Sequence, residues 1–238
     1  MNETSIAARL AALDWDALGR SLWEQGYAKT PPLLTTAECE GLVALYADDR
    51  HFRSRVDMAR HRFGEGDYKY LAHPLPLLVQ SLRSESYPRL AALANSWEQA
   101  LGSPTRYPED LAGLLALCRR HGQTKPTPLV LHYEAGGYNC LHQDLYGDVA
   151  FPLQITAFLS RRGADYEGGD FLLVEQRPRA QSRGEAIHTE QGELVIFPTR
   201  FRPVRGARGF LRTTTRHGVS TIARGTRYTL GIIFHDAK

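Results

Sequence analysis

Hydrophobic and polar positions along the chain follow two different periods, and the change falls near residue 126. Before it, apolar residues recur at helical spacing. Trp15, Leu18 and Leu22 share one face, Asp14 stands where an N-cap is wanted and Gly26 where a helix stops, so a helix is predicted over residues 14–25. An extended stretch over residues 27–34 follows. Thr36 is the expected cap of a second helix that runs to Tyr46 and places Cys39, Leu42, Val43 and Tyr46 on one face. Residues 75–101 read as helical but divided at Tyr87-Pro88, because proline disfavours helical geometry in the residue before it, and a last helix is expected over residues 110–120. Between these helices, Phe52, Ser54, Val56 and Met58 alternate with Arg53, Arg55 and Asp57, and a second extended run covers residues 68–71. That pattern predicts a β-hairpin over residues 50–71 with a basic outer face.

Beyond the Thr124-Lys125-Pro126-Thr127-Pro128 segment the period is close to two almost throughout. Short apolar or alternating runs at residues 129–133, 138–142, 153–159, 170–174, 193–197, 210–221 and 227–234, broken by glycine and proline, predict a sandwich or jelly roll. The fold class expected is therefore α+β with a mainly β core: one domain, with residues 1–126 as helical support carrying the basic hairpin as a lid, and residues 127–238 as the core.

Composition narrows this only a little. Hydrophobic residues at 42% and charged residues at 23% are those of an ordinary soluble globular chain, and no apolar run approaches the roughly eighteen residues that span a bilayer. The first ten residues lack a basic stretch followed by an apolar one, so no export signal is read and the expected compartment is the cytoplasm. Cys39, Cys118 and Cys140 are odd in number and widely spaced, which favours free thiols over a disulfide framework or a zinc knuckle. Net charge is only +3, yet nine arginines against three glutamates lie between Arg177 and Arg216. Such a bias suits an anionic partner and equally suits a GC-rich coding sequence.

The candidate chemistry begins at His142-Gln143-Asp144. In extended backbone, residues i and i+2 project to one side, so His142 and Asp144 can aim an imidazole and a carboxylate at one point. Alone, such a pair is a common surface pattern. His217, on the later run 213–219, can complete a two-histidine, one-carboxylate set, which leaves coordination positions open for reactants. Ten residues further, Arg227 opens the last strand and can hold a carboxylate through two charge-assisted hydrogen bonds, with Thr229 on the same face.

This ordered set resembles the Fe(II)/2-oxoglutarate-dependent dioxygenases. The resemblance implies a double-stranded β-helix (a jelly-roll or cupin-like fold), Fe(II) held by His142, Asp144 and His217, and 2-oxoglutarate anchored by Arg227 with Thr229 and Tyr133. It also implies O2 as oxidant, succinate as co-product and oxidation of a C–H bond. Tyr133, Gly136, Glu167-Gly168-Gly169-Asp170-Phe171 and Gly192-Glu193-Leu194-Val195-Ile196-Phe197-Pro198 match further positions of that pattern.

Across the chain, Pro32-Leu33-Leu34, Asn139 to Gly147 and Leu230 to Asp236 look like a bacterial oxygenase family assigned to oxidative demethylation of damaged nucleic acid, as AlkB does. That resemblance implies a methylated base, single-stranded or flipped, as substrate, and no obligate protein partner. Arg53, Arg55, Tyr68, Tyr70 and Tyr146 are the candidate substrate residues, and Arg200, Arg202, Arg205, Arg208, Arg212 and Arg216 a second phosphate-facing surface. One position departs from the AlkB pattern: Ile233 stands where those enzymes carry a second arginine. The alternative is a hydroxylase of a protein side chain or free amino acid, since Tyr133-x-x-Gly136-Gly137 resembles prolyl hydroxylases as well. A catalytically silent binding module is the third reading.

Overall fold

The computed structural model describes residues 4–238; the first three residues of the segment read above for an export signal lie outside the described residues. The amino-terminal half supplies α1 (Ile6–Ala11), α2 (Trp15–Glu24), β1 (Ala28–Lys29), α3 (Thr36–Leu45), β2 (Phe52–Asp57), α4 (Met58–His61), β3 (Gly64–Glu65), β4 (Asp67–Leu71), α5 (Leu77–Ala100) and α6 (Leu111–Arg120). The second half is β: β5 (Leu129–Tyr133), β6 (Tyr138–His142), β7 (Leu153–Phe158), β8 (Tyr166–Gly168), β9 (Phe171–Gln176), β10 (Arg183–Ile187), β11 (Leu194–Pro198), β12 (Phe201–Gly206), β13 (Gly209–Val219), β14 (Ile222–Gly225) and β15 (Arg227–Ile233). No helix among the described residues is long and apolar enough to cross a membrane.

The helix caps show what local chemistry decides. Asp14 accepts from the Ala17 amide at 2.8 Å, and Asp110 from that of Gly113 at 2.7 Å, which satisfies donors the first helical turn would otherwise leave open. In α3 the cap is Thr35, one residue before the expected Thr36, because Thr35 and Glu38 form a reciprocal capping box. The expected division at Pro88 does not occur: α5 runs unbroken from Leu77 to Ala100. Proline inside a helix costs about 3 kcal/mol. Val79, Leu82, Tyr87, Leu90, Ala91, Ala94 and Trp97 are buried along one face on both sides of it, and at about 1.5–3 kcal/mol for each large side chain their burial outweighs that cost.

Two sheets face each other. The larger runs β1-β11-β7-β15-β5-β4-β2, and the smaller β10-β9-β13-β6-β3, with β12 also paired to β13. This is the double-stranded β-helix with a helical first half. The principal core, including Val130, Ile155, Leu230 and Ile232, lies between the outer face of the larger sheet and the helices. The hairpin expected as a lid is instead the edge of the larger sheet, since β4 pairs β5 as well as β2, while β3 crosses to the smaller sheet and pairs β6. Strands β10 and β14 escape the hydrophobic pattern because much of their length is exposed, and β12 because it buries Arg202 and Pro203 beside a single buried aliphatic residue, Val204.

Buried polar groups lock the strand ends. The Arg83 guanidinium donates to Ile233 O (3.1 Å) and Phe234 O (2.7 Å) and pairs with Asp236 (2.8 Å), which ties α5 to the end of β15. Gln123 donates to Val149 O and Asp236 O and accepts from the Val149 amide, so the loop after β6 is clamped to the carboxy terminus.

Candidate metal centre

Register brings the two histidines together. His217 of β13 is the antiparallel partner of His142 of β6, and their rings lie 4.2 Å apart, centroid to centroid. The pairing slips immediately afterwards at Gly218, where a Cβ would stand 2.6 Å from Asn139 O; glycine lets β13 approach β6 that closely. Asp144 lies just past the end of β6, and its carboxylate is 3.2 Å from His217 Nε2 and 3.7 Å from His142 Nε2. One ligand atom from each of the three residues falls within 4.8 Å of the others.

The protonation states suit a cation. Burial, then the neighbouring His142, pushes the His217 imidazole down, towards the neutral form. Burial alone would push the Asp144 carboxyl up, but the charges and hydrogen bonds of His142 and His217, with a hydrogen bond from Tyr146, hold it below the usual carboxylate range. His142 Nδ1 is 2.8 Å from Cys140 O, which fixes the tautomer that leaves Nε2 with its lone pair facing Asp144. Phe171 and Phe197 flank the His217 ring at 5.9 and 4.7 Å and set its orientation. Two imidazole nitrogens and one carboxylate on a single side of a point are the facial donor set of non-haem Fe(II).

The opposite wall comes from the larger sheet. Arg227 pairs with Tyr133 and Thr229 with Leu131 across β15 and β5, and Arg227, Thr229, Gly231 and Ile233 line the space behind the triad as alternation requires. The Arg227 guanidinium is 1% exposed, and none of its three nitrogens has a hydrogen-bond partner. The rings of Phe158, Tyr133 and Tyr166 surround it at 5.4, 5.7 and 5.7 Å. A buried, unpaired cation beside a metal-ligand triad is a seat for a carboxylate, and it fits the far end of 2-oxoglutarate. Tyr133 is fully buried, its hydroxyl accepts from Asn139 Nδ2 at 3.2 Å, and burial raises its pKa to about 12.

A second cavity of about 320 Å³ opens on the other side of His142 and Asp144. Tyr68, Tyr70 and Tyr146, three of the candidate substrate residues, line it together with Arg62, Phe63, Cys140 and Leu141. Tyr146 has a further contact: its hydroxyl donates to Asp144 Oδ1 at 2.8 Å and accepts from the Tyr70 hydroxyl at 3.0 Å. Arg53 and Arg55 are not brought there. Tyr68 and Tyr70 turn one face of the β2–β4 pair to the cavity, so Arg55, opposite Lys69, projects from the other face and pairs with Asp67 at 2.9 Å. Arg53 stacks on the Tyr70 ring at 4.4 Å and donates to Pro126 O, which supports the cavity wall from behind. Arg202, read as part of an exposed arginine surface, is 2% exposed, bonded to Glu175 at 2.6 Å and to Trp23 O at 2.9 Å. Sequence reasoning counted Phe63 among the hairpin aromatics but passed over Asn139 and Arg62 as site residues. Arg62 sits in the left-handed region at φ 59°, ending α4, and nothing in its side-chain type signals that.

Comparison with known proteins agrees with this geometry. Residues 66–237 match the model of an oxygenase family described as catalysing oxidative methylation of damaged DNA. Two uncharacterized proteins of Mycobacterium tuberculosis are each 49% identical over 164 residues, which is 69% of this chain and 70% of each relative. Among solved structures, a Pseudomonas putida prolyl-4-hydroxylase superposes with a TM-score of 0.53 at 15% identity, over 94% of this chain and 100% of that one. A Burkholderia pseudomallei oxidoreductase of the 2OG-Fe(II) oxygenase family gives 0.52 at 15%, over 99% and 94%. The epimerase SnoN, in complex with Fe3+ and alpha ketoglutarate, gives 0.50 at 16%, over 92% and 83%. At such identities the likeness is one of fold.

Proposed function

Because the chain belongs to the oxygenase family described as catalysing oxidative methylation of damaged DNA, and has the fold of the Fe(II)- and 2-oxoglutarate-dependent oxygenases, we propose that it oxidatively demethylates alkylated bases in nucleic acid. The observation that carries this reading is the aromatic cavity opening directly on the triad. Its volume of about 320 Å³ is at the small end of the roughly 300–1,000 Å³ typical of ligand sites, and its walls are mostly rings and aliphatic chains, which suits one flat base better than a folded peptide.

Iron with 2-oxoglutarate and O2 supplies the oxidising equivalents that place one oxygen atom in a C–H bond of the methyl group, the co-products being succinate and CO2. The remaining work belongs to the chain. His142, Asp144 and His217 hold the metal from one side and leave the other to reactants. Arg227 and Thr229 receive the distal carboxylate of the co-substrate, and Tyr133 closes the wall beside it. Tyr146 holds Asp144 by its hydrogen bond, and Tyr70 holds Tyr146. Tyr68, Tyr70 and Phe63 offer faces and edges on which an extruded base stacks, at about 1–3 kcal/mol per base. The resulting N-hydroxymethyl group loses formaldehyde once its hydroxyl proton returns to the nitrogen, so the protein need not provide a nucleophile. On this reading the protein works in the cytoplasm.

The test is substrate-stimulated turnover. Succinate formation should rise when methylated single-stranded DNA is added and stay at the uncoupled level with unmethylated DNA or with a peptide and amino-acid panel. Stimulation by a peptide alone would replace this reading with that of a side-chain hydroxylase.

A further inference from the structure

A cavity of about 340 Å³ lies on the far side of the loop that carries Asp144. Consecutive residues of that loop face different spaces: Tyr146 lines the cavity beside the triad, and Leu145, 40% exposed, lines this one. The two cavities are thus one loop thickness apart. The Gln143 side chain bonds the same loop to Thr215 O at 2.7 Å and Arg200 O at 3.3 Å.

The far wall is cationic. Arg200 and Arg212 both line it, and their guanidinium carbons stand 4.5 and 5.4 Å over the ring of Phe201. Neither guanidinium makes an ion pair or a side-chain hydrogen bond among the described residues, and Glu98 is the one carboxylate in the wall. Two guanidinia without an acidic partner on one cavity wall suit an anion with several acceptor oxygens.

We propose that this cavity is a phosphodiester subsite: Arg200 and Arg212 grip the backbone phosphate next to the base that enters beside the triad, and hold the strand across Leu145. The inference rests on the nucleic-acid reading above. A phosphate presents oxygens to both guanidinia, and its distance from the base is set by the strand itself. Discrimination between bases is left to the aromatic cavity.

The test is fluorescence anisotropy with a labelled single-stranded oligonucleotide of about 12 nucleotides, within the usual site sizes of single-strand binders. Each phosphate contact to a single strand contributes about 0.7 to the slope of log affinity against log salt. The Arg200→Ala/Arg212→Ala variant gives up one phosphate, so it should lose about 0.7 from that slope and bind about 5-fold more weakly at 0.1 M salt. The exposed Arg208→Ala at the hairpin turn should change affinity less than about threefold, and unchanged thermal midpoints show that the variants are folded. In the wild type, one neutral methylphosphonate beside the methylated base should reproduce the loss, with no further loss in the double variant. Equal losses in the double variant and Arg208→Ala, or a methylphosphonate effect that persists in the double variant, overturn the subsite while leaving the nucleic-acid reading in place. Displacement of the strand by millimolar inorganic phosphate makes the cavity a free-anion site and overturns it too. Wild-type protein without salt-dependent strand binding overturns both.

Discussion

Replacing Arg227 with methionine separates two consequences that an ordinary buried ion pair would merge. In the protein without co-substrate, the guanidinium is buried with no hydrogen-bond partner and three aromatic rings at 5.4–5.7 Å. Rings near the 6 Å limit return about 0.5–1 kcal/mol each, together about 1.5–3 kcal/mol, against a desolvation penalty of several kcal/mol for the charge. Arg227→Met should leave the stability of the free protein unchanged or raise it by up to about 2 kcal/mol. Losing the partner of a bound carboxylate, in contrast, costs about 3–5 kcal/mol, so 2-oxoglutarate should bind about 10²- to 4 × 10³-fold more weakly. The assay is anaerobic calorimetric titration of 2-oxoglutarate into Fe(II)-loaded protein, beside a thermal melt of the free protein. Binding within threefold of wild type would refute the carboxylate seat. A midpoint lowered by more than about 6 °C, near 2 kcal/mol for a chain of this size, would show that Arg227 is a structural element of the free fold.

Asp144→Ala should abolish Fe(II)-dependent succinate formation, and undiminished turnover would remove the triad from the chemistry. Tyr146→Phe deletes the hydrogen bond to Asp144 and should weaken Fe(II) binding about 10- to 100-fold in chelator competition, with unchanged affinity leaving Tyr146 as a packing residue. Burial pushes the Asp67 carboxyl up, but hydrogen bonds from His132 and Tyr46 and the Arg55 charge prevail and hold it at about 2. A depressed carboxyl stabilises the fold above its unfolded pKa near 4 and stops doing so as pH falls towards 2, an effect of about 2 kcal/mol. Denaturant titrations of wild type and Asp67→Asn should thus converge in stability between pH 4 and pH 2, and parallel curves would contradict the network. Gly218→Ala forces a Cβ to within 2.6 Å of Asn139 O and should cost about 1–3 kcal/mol in a denaturant melt, with a matching loss of metal affinity because it separates β13 from β6.

How far the site could be read in advance depended on whether a residue's role was local. Alternation along β15 placed Arg227, Thr229, Gly231 and Ile233 together, since a two-residue period survives any tertiary context. His142-x-Asp144 and His217 were recognisable as ligands by type and order. Their meeting rests on the His142–His217 register across strands 75 positions apart, which no local pattern encodes. Arg53 and Arg55 were rightly set apart from Val56 in parity, but parity does not say which face is the inside. Tyr68 and Tyr70 decided that, through their pairing with β5 and the burial it brings. Pro88 misled because a local penalty of a few kcal/mol was set against a buried face visible only in the folded chain. Arg202 misled because a charge inside an arginine-rich run gives no sign that Glu175 of another strand waits for it.

The central claim is that the iron site meets a methylated base, and the most direct measurement is the product ratio on one. Fe(II)-loaded wild-type protein, with 2-oxoglutarate, O2 and N-methylated single-stranded DNA, should release formaldehyde and succinate in equal amounts above the uncoupled background and restore the unmethylated base. Succinate formed without formaldehyde on every methylated oligonucleotide, alongside a stoichiometrically hydroxylated peptide or amino acid, would contradict it.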